Sequence, residues 1–166
     1  MTNNPSSPAD GNGKSNGAQA SAEARPTALP INVLAQYLKD LSFENPRVPQ
    51  SLMQGQPAPE ISVHVDIQTA TPGEDVHEVT LTVRVEAKTG DDIVFLVEVA
   101  YAGLLALPGL PAEHHRPVLL IEGPRLLFPF VRAIVADATR NGGFPPLLIN
   151  PIDFAELYRR QLQQSA

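Results

Sequence analysis

The side chains able to do chemistry are few, and the first are two carboxylates in the stretch KDLSFEN, Lys39 to Asn45. In an extended strand successive side chains point to opposite faces. Asp40, Ser42 and Glu44 then share one face, and Leu41 and Phe43 the other. A carboxylate pair on one face is raw material for general acid–base work. The spacing argues against it. Four residues of strand span about 13 Å, whereas the paired carboxylates of glycosidases stand roughly 5 to 10 Å apart. Gly90-Asp91-Asp92 looks like a metal or nucleotide fragment, but it falls between two strand-like runs, where a hairpin turn uses the same residues. His114 and His115 are adjacent in a Pro-flanked connection. Neighbouring side chains diverge, and no carboxylate or thiolate cluster completes a metal shell around them. No G-x-S-x-G, P-loop or H-E-x-x-H motif occurs. The expectation is a protein that is not an enzyme, with no catalytic residue and no metal ligand.

Composition narrows the classes further. The 166 residues suffice for one domain with a real core. Charged residues make up 18%, below the roughly 25% usual for soluble domains. A net charge of −6 supplies no basic stripe for phosphates, which argues against nucleic acid and suits a basic partner. The chain has no cysteine, so disulfide scaffolds and thiolate metal sites are excluded. No apolar run approaches the ~18 residues of a membrane span, and the N-terminus lacks an apolar h-region. The expected location is the cytoplasm.

The elements that position these residues follow from period and punctuation. Residues 1–28 carry no large apolar side chain after Met1 and cannot offset their ordering entropy by burial. They are expected to form a disordered tail, followed by one domain over 29–163 and a short tail at 164–166. Ile31, Val33, Ala35, Tyr37, Leu41 and Phe43 alternate, broken only by Lys39, and predict a first strand with a single core-facing side. A Pro-rich link, NPRVPQSLMQGQPAP, cannot be a central strand. EISVHVDIQT then sets Ile61, Val63, Val65 and Ile67 against Ser62, His64, Asp66 and Gln68. After the turn TPGED comes a third strand with Val79, Leu81, Val83 and Val85 on one face. KTGDD marks a hairpin. The fourth run, IVFLVEVAYAGLLAL, is apolar on both faces except for Glu98. Antiparallel sheets usually show one face to water, so this strand predicts a second covering layer or a partner.

Two helices complete the reading. EGPRLLFPFVRAIVADATRNGG predicts a helix with Pro124 near its start, an irregularity at Pro129 and a stop at Gly142-Gly143. Its polar stripe is narrow: Arg125, Arg132, Thr139 and Arg140. One four-stranded sheet cannot cover the remaining circumference, so this helix is expected to mediate self-association. The interface expected is Val97, Val99, Phe130 and Ile134. NPIDFAELYRRQLQQ predicts a second helix with Asn150 as N-cap, Pro151 at the first position and Asp153 at the positive end of the dipole. Four strands followed by two helices make an α+β domain built on an antiparallel sheet.

Three stretches, YLKDLSFENPRVP, VFLVEVAYAGL and RLLFPFVRAIVADATRNGGFPPLLINPIDFAELY, occur in this order and together resemble the SecB family of bacterial export chaperones. The resemblance covers essentially Ile31 to Leu162. It implies a homotetramer, a dimer of dimers, with the long helix packed between sheets. It also implies a cytosolic holdase, independent of ATP and of any cofactor, that binds unfolded precursor proteins, keeps them export-competent and delivers them to the SecA motor. A SecB-like chaperone dedicated to one client, such as a toxin–antitoxin component, is the other reading, separated from the first by client breadth.

Site residues follow from the same resemblance. The SecA-contacting surface maps onto Asp40, Glu44, Leu96 and Glu98. Glu98 interrupts an apolar strand, where a buried unpaired carboxylate would be costly, so it is expected on the outer, wet face of the sheet. The client groove maps onto Ile61, Val63, Val65, Tyr158 and Leu162. Burial alone favours the same residue types, so ordinary core remains an equal reading of the three strand positions. The chain departs from the family in having no Trp. Some members place a groove Trp near QPAPE, where this chain has Pro57.

Overall fold

The β-branched alternation and the two hairpin signals produce four long strands: β1 (Asn32–Glu44), β2 (Glu60–Gly73), β3 (Val76–Thr89) and β4 (Asp92–Ala106). We describe them from a computed structural model, for residues 30–164. The expected tail over 1–28 and the last two residues of the expected tail at 164–166 lie outside the described residues. All strand pairs are antiparallel, in the order β1-β4-β3-β2. The β2–β3 and β3–β4 turns are tight, and they place Asp75 at φ 55° and Gly90 at φ 61°, the positive region that short hairpin loops demand. The Pro-rich link after β1 crosses to the far edge of the sheet, so β1 and β2 are the two edge strands.

A long helix, α1 (His115–Asn141), lies across one face of the sheet, and a short one, α2 (Phe154–Gln164), packs against α1. Gln164, expected in the C-terminal tail, is the last residue of α2. The core lies between α1 and the odd-numbered positions of the two central strands: Val79, Leu81, Val83 and Val85 on β3, and Val97 and Val99 on β4, all fully buried. Close approach of helix to sheet depends on two glycines. A Cβ at Gly123 would stand 3.0 Å from a Val79 methyl, and one at Gly103 would stand 3.0 Å from Leu127.

Several local expectations differ from the structure. β1 is not a single alternating strand. Register shifts at Leu38/Asp40 and Val33/Ala35 insert an extra residue at each place, and an extra residue transfers the rest of a strand to the opposite face. Leu38 therefore lies opposite Tyr101, on the α1 face with Leu41 and Phe43, while Tyr37 lies opposite Ala102 on the outer face. There the Tyr37 hydroxyl donates to the Glu78 carboxylate, and Lys39 Nζ lies 2.8 Å from the same group.

Helix α1 begins at His115, well before Pro124, so both Pro124 and Pro129 are interior. Packing on the sheet outweighs the two missing backbone donors. At α2 the N-cap is Asp153 rather than Asn150: its Oδ1 accepts from the Glu156 backbone N–H at 2.9 Å. A short acceptor three residues before Glu156 satisfies a first-turn donor in the way Asn150 cannot from outside the helix.

Candidate functional site

Helix α1 covers β3 and β4 and leaves the β2 edge partly open. On the same face as the core, Ile61 and Val63 remain 38% and 40% exposed, and Val65 is half-buried. The chain after α1 supplies the opposite wall. Residues 147–152 and Leu157 of α2 face Ile61, Val63 and Val65 across an open groove of about 650 Å³, a volume usual for ligand sites. The groove is mainly apolar, with His64 and Asn150 among its polar groups.

That wall is irregular chain, and α1 holds it in place. The run FPPLLINPI is apolar, yet its prolines exclude helix and central strand. Thr139, fully buried on α1, accepts a hydrogen bond from the Leu147 backbone N–H and donates to the Val135 carbonyl, both at 2.9 Å. Arg132 donates from Nε to the Ile149 carbonyl at 2.9 Å. Phe154 anchors the start of α2 at 1% exposure, edge-on to Phe128.

Of the groove residues expected from sequence, Ile61, Val63 and Val65 line this cavity. Tyr158 lines a neighbouring one of about 260 Å³ with Val65 and Ile67. Leu162 lines neither and is 46% exposed. Sequence reasoning missed Leu147, Leu148, Ile152 and Leu157. The signal for the first three was present: an apolar run too broken by proline to enter the core as a regular element. Pro57 lines a separate cavity of about 250 Å³ under the β1–β2 link, with Met53, Val94 and Phe144. Its aromatic member is Phe144, tilted at 48° against Phe95 with ring centroids 4.9 Å apart.

The outer face of the sheet carries the second candidate. Glu44 lies opposite Leu96, and Ser42 opposite Glu98, which in turn is opposite Arg84. Asp40 and Glu44 are thus both diagonal neighbours of Glu98, at the ~7–8 Å typical of such pairs. All four residues expected at one surface lie together on two adjacent strands. Glu98 is not unpaired: Arg84 Nη1 approaches its Oε2 at 3.6 Å. On the same face, the Lys88 ammonium and then the Arg84 guanidinium hold the Glu86 carboxyl below the usual range, so it is ionised at neutral pH.

The residues expected at a subunit interface divide into two sets. Val97 and Val99 are 0% exposed beneath the chain's own α1, so they belong to the core of one protomer. The reason is that α1 covers the central strands from within the same chain. Phe130 is 46% exposed and stacks on Tyr101 with centroids 5.5 Å apart, while Ile134 is half-buried. Leu126, Leu38 and Leu41 are also exposed, and Leu38 lies opposite Tyr101. An apolar strip therefore runs from α1 to the β1 edge.

Comparison with known proteins agrees in both sequence and fold. A family profile described as preprotein translocase subunit SecB matches residues 23–165. A protein-export protein SecB from Maricaulis maris is 49% identical over 166 residues, covering 100% of this chain and 90% of the relative. Another from Rhodospirillum centenum is 51% identical over 145 residues, 87% of this chain and 86% of the relative. Among solved structures, a Mycobacterium tuberculosis SecB-like chaperone in complex with a ChAD peptide from the HigA1 antitoxin matches with a TM-score of 0.59 at 17% identity. The match covers 74% of this chain and 88% of that one. At that identity the likeness is one of fold.

Proposed function

Because this chain belongs to the SecB family of protein-export chaperones, we propose that it is a cytosolic holdase that binds unfolded precursor proteins without ATP and hands them to SecA. The observation that carries the reading is the open groove along β2. Ile61 and Val63 sit on the core side of a sheet yet stay more than a third exposed, facing apolar chain held at a fixed distance by Thr139 and Arg132. Exposed apolar surface of this kind marks interaction sites. A groove bounded by an edge strand suits an extended apolar segment, which can add backbone hydrogen bonds to side-chain burial.

The acidic outer face supports the second half of the proposal. Asp40, Glu44 and Glu98 with Leu96 form a compact negative patch with one apolar residue, on a different face from the groove. A basic partner can be steered and registered there while the client stays bound. The apolar strip of Leu38, Leu41, Leu126 and Phe130 supports self-association. In a dimer of dimers, several grooves would act on one long client by avidity.

The test is refolding of a reduced, unfolded client with stoichiometric tetramer and no nucleotide. The expected result is a clear delay in recovery of the folded state, and an unchanged rate would count against the proposal. A chaperone dedicated to one client would delay only that client, so a panel of unrelated unfolded proteins separates the two readings.

A further inference from the structure

Among the described residues, Arg116 is the one Lys or Arg without an ion pair or hydrogen bond. The others face carboxylates or, for Arg132, a backbone carbonyl. In so acidic a chain an unanswered cation is unusual. Arg116 is exposed in the first turn of α1, at a cavity of about 430 Å³. Thr69 and Thr71 reach the cavity from β2, His77 from β3 and His115 from α1. The two histidine rings meet edge to face with centroids 5.1 Å apart. His115 Nε2 lies 2.7 Å from the Leu110 carbonyl, so this nitrogen is the donor of that hydrogen bond. His77 Nε2 is buried and has no partner. Burial, and then the neighbouring His115, push the His77 pKa down, while Asp75 on the β2–β3 turn opposes them.

We propose that this cavity binds a phosphate group, either as inorganic phosphate or as a monoester whose organic part rests on Leu119 and Leu120. Arg116, His77, Thr69 and Thr71 line the cavity from three elements, and His115, whose Nε2 is engaged by the Leu110 carbonyl, lines it beside them. A tetrahedral oxyanion, with acceptors pointing in several directions, answers more of them than a planar carboxylate does. The volume exceeds what a bare phosphate needs, and Leu119 and Leu120 are apolar lining of the same cavity. Ile67 and Leu120 also line the Tyr158 cavity, which shares Val65 with the groove. The proposed anion site is thus adjacent, through shared lining residues, to the Tyr158 cavity and beyond it the groove. The inference stands independently of the chaperone reading.

The full chain, with isotope-labelled histidine, is titrated by NMR with inorganic phosphate and with phenyl phosphate, against sodium chloride at matched ionic strength. Saturable shifts of the His77 and His115 rings are expected, with Kd on the order of millimolar or tighter. By reciprocity the ligand raises the His77 pKa. Arg116→Gln is expected to weaken binding at least tenfold, while Arg125→Gln, which removes a surface cation paired with Glu122, leaves it unchanged. Tighter binding of phenyl phosphate assigns the apolar wall to a monoester, and tighter binding of inorganic phosphate assigns the site to the free ion. Shifts that follow ionic strength alone, or a Kd that Arg116→Gln leaves unchanged, overturn the proposal.

Discussion

Arg84 on β3 and Glu98 on β4 are cross-strand partners on the outer face of the sheet, with Nη1 3.6 Å from Oε2. Arg84 is shared: its Nε and Nη2 also reach Glu86 at 3.3 and 3.2 Å. The carboxylate proposed to meet SecA is therefore already in partial use within the chain, and a basic partner must compete for it.

Two substitutions separate docking from structure at this pair. Glu98→Arg is expected to weaken SecA binding about tenfold or more, mainly through slower association, with client binding retained. Arg84→Gln frees Glu98, and because an exposed pair contributes roughly 0.2–1 kcal/mol, SecA affinity should rise by up to about fivefold at low salt. Surface plasmon resonance against SecA and against an unfolded client reads both. Parallel loss of the two activities in Glu98→Arg would make Glu98 structural.

In the groove, Val63→Asp places a charge where an apolar segment would lie. Val63 is 40% exposed, so the fold should tolerate the change, with the melting temperature shifting by no more than a few degrees, as for about 1 kcal/mol. Client affinity is expected to fall at least tenfold, measured by fluorescence anisotropy of a labelled unfolded client. Unchanged affinity would relocate the binding surface.

The exposed strip on α1 and β1 predicts the assembly. Phe130→Asp adds a charge beside Tyr101 and should shift the mass in solution from the proposed tetramer toward smaller species. Val97→Ala should act differently: a fully buried valine loses stability by about 1–3 kcal/mol without specifically changing the mass. Light scattering with thermal unfolding distinguishes them.

Thr139→Val keeps the volume but leaves the part-buried Leu147 N–H without its acceptor. A fully buried unsatisfied donor costs about 1–3 kcal/mol, and a part-buried one costs less. Hydrogen exchange at Leu147 should quicken, and client binding should weaken because the groove wall loosens. Protection at Leu147 equal to that of the unsubstituted chain would show that Thr139 does not set the wall.

The Tyr37–Glu78–Lys39 network sets a pH dependence. The Lys39 ammonium first, and then the Tyr37 hydroxyl, hold the Glu78 carboxyl below its usual range against the opposing effect of burial. A depressed folded-state pKa gives stability that is full above the unfolded value of about 4.3 and is lost as pH falls through the lower folded value. Glu78→Gln should therefore lower the melting temperature at about pH 6 but make little difference at about pH 3. A gap that stays constant across this range would show that ionisation of Glu78 is not the source.

The sequence by itself determined the four strands, the two hairpin turns, the two helices and the family, because these rest on period-2 alternation, turn residues and local runs. It did not single out the open strand: the alternation of Ile61, Val63 and Val65 suits core and groove lining equally, and the groove positions came from the family resemblance. Only the tertiary structure decided which side of each element faces what. The two irregularities in β1 arise from its pairing with β4, and they exchange Leu38 for Tyr37 on the α1 face. The early start of α1 at His115 arises from packing strong enough to absorb two prolines. Val97 and Val99 could be assigned to the core only once α1 was seen to lie over them, because burial is a property of what covers a residue and not of the residue. The groove wall of Leu147, Leu148 and Ile152 has no period to read. Its position depends on the Thr139 and Arg132 hydrogen bonds, contacts made eight and seventeen residues away along the chain.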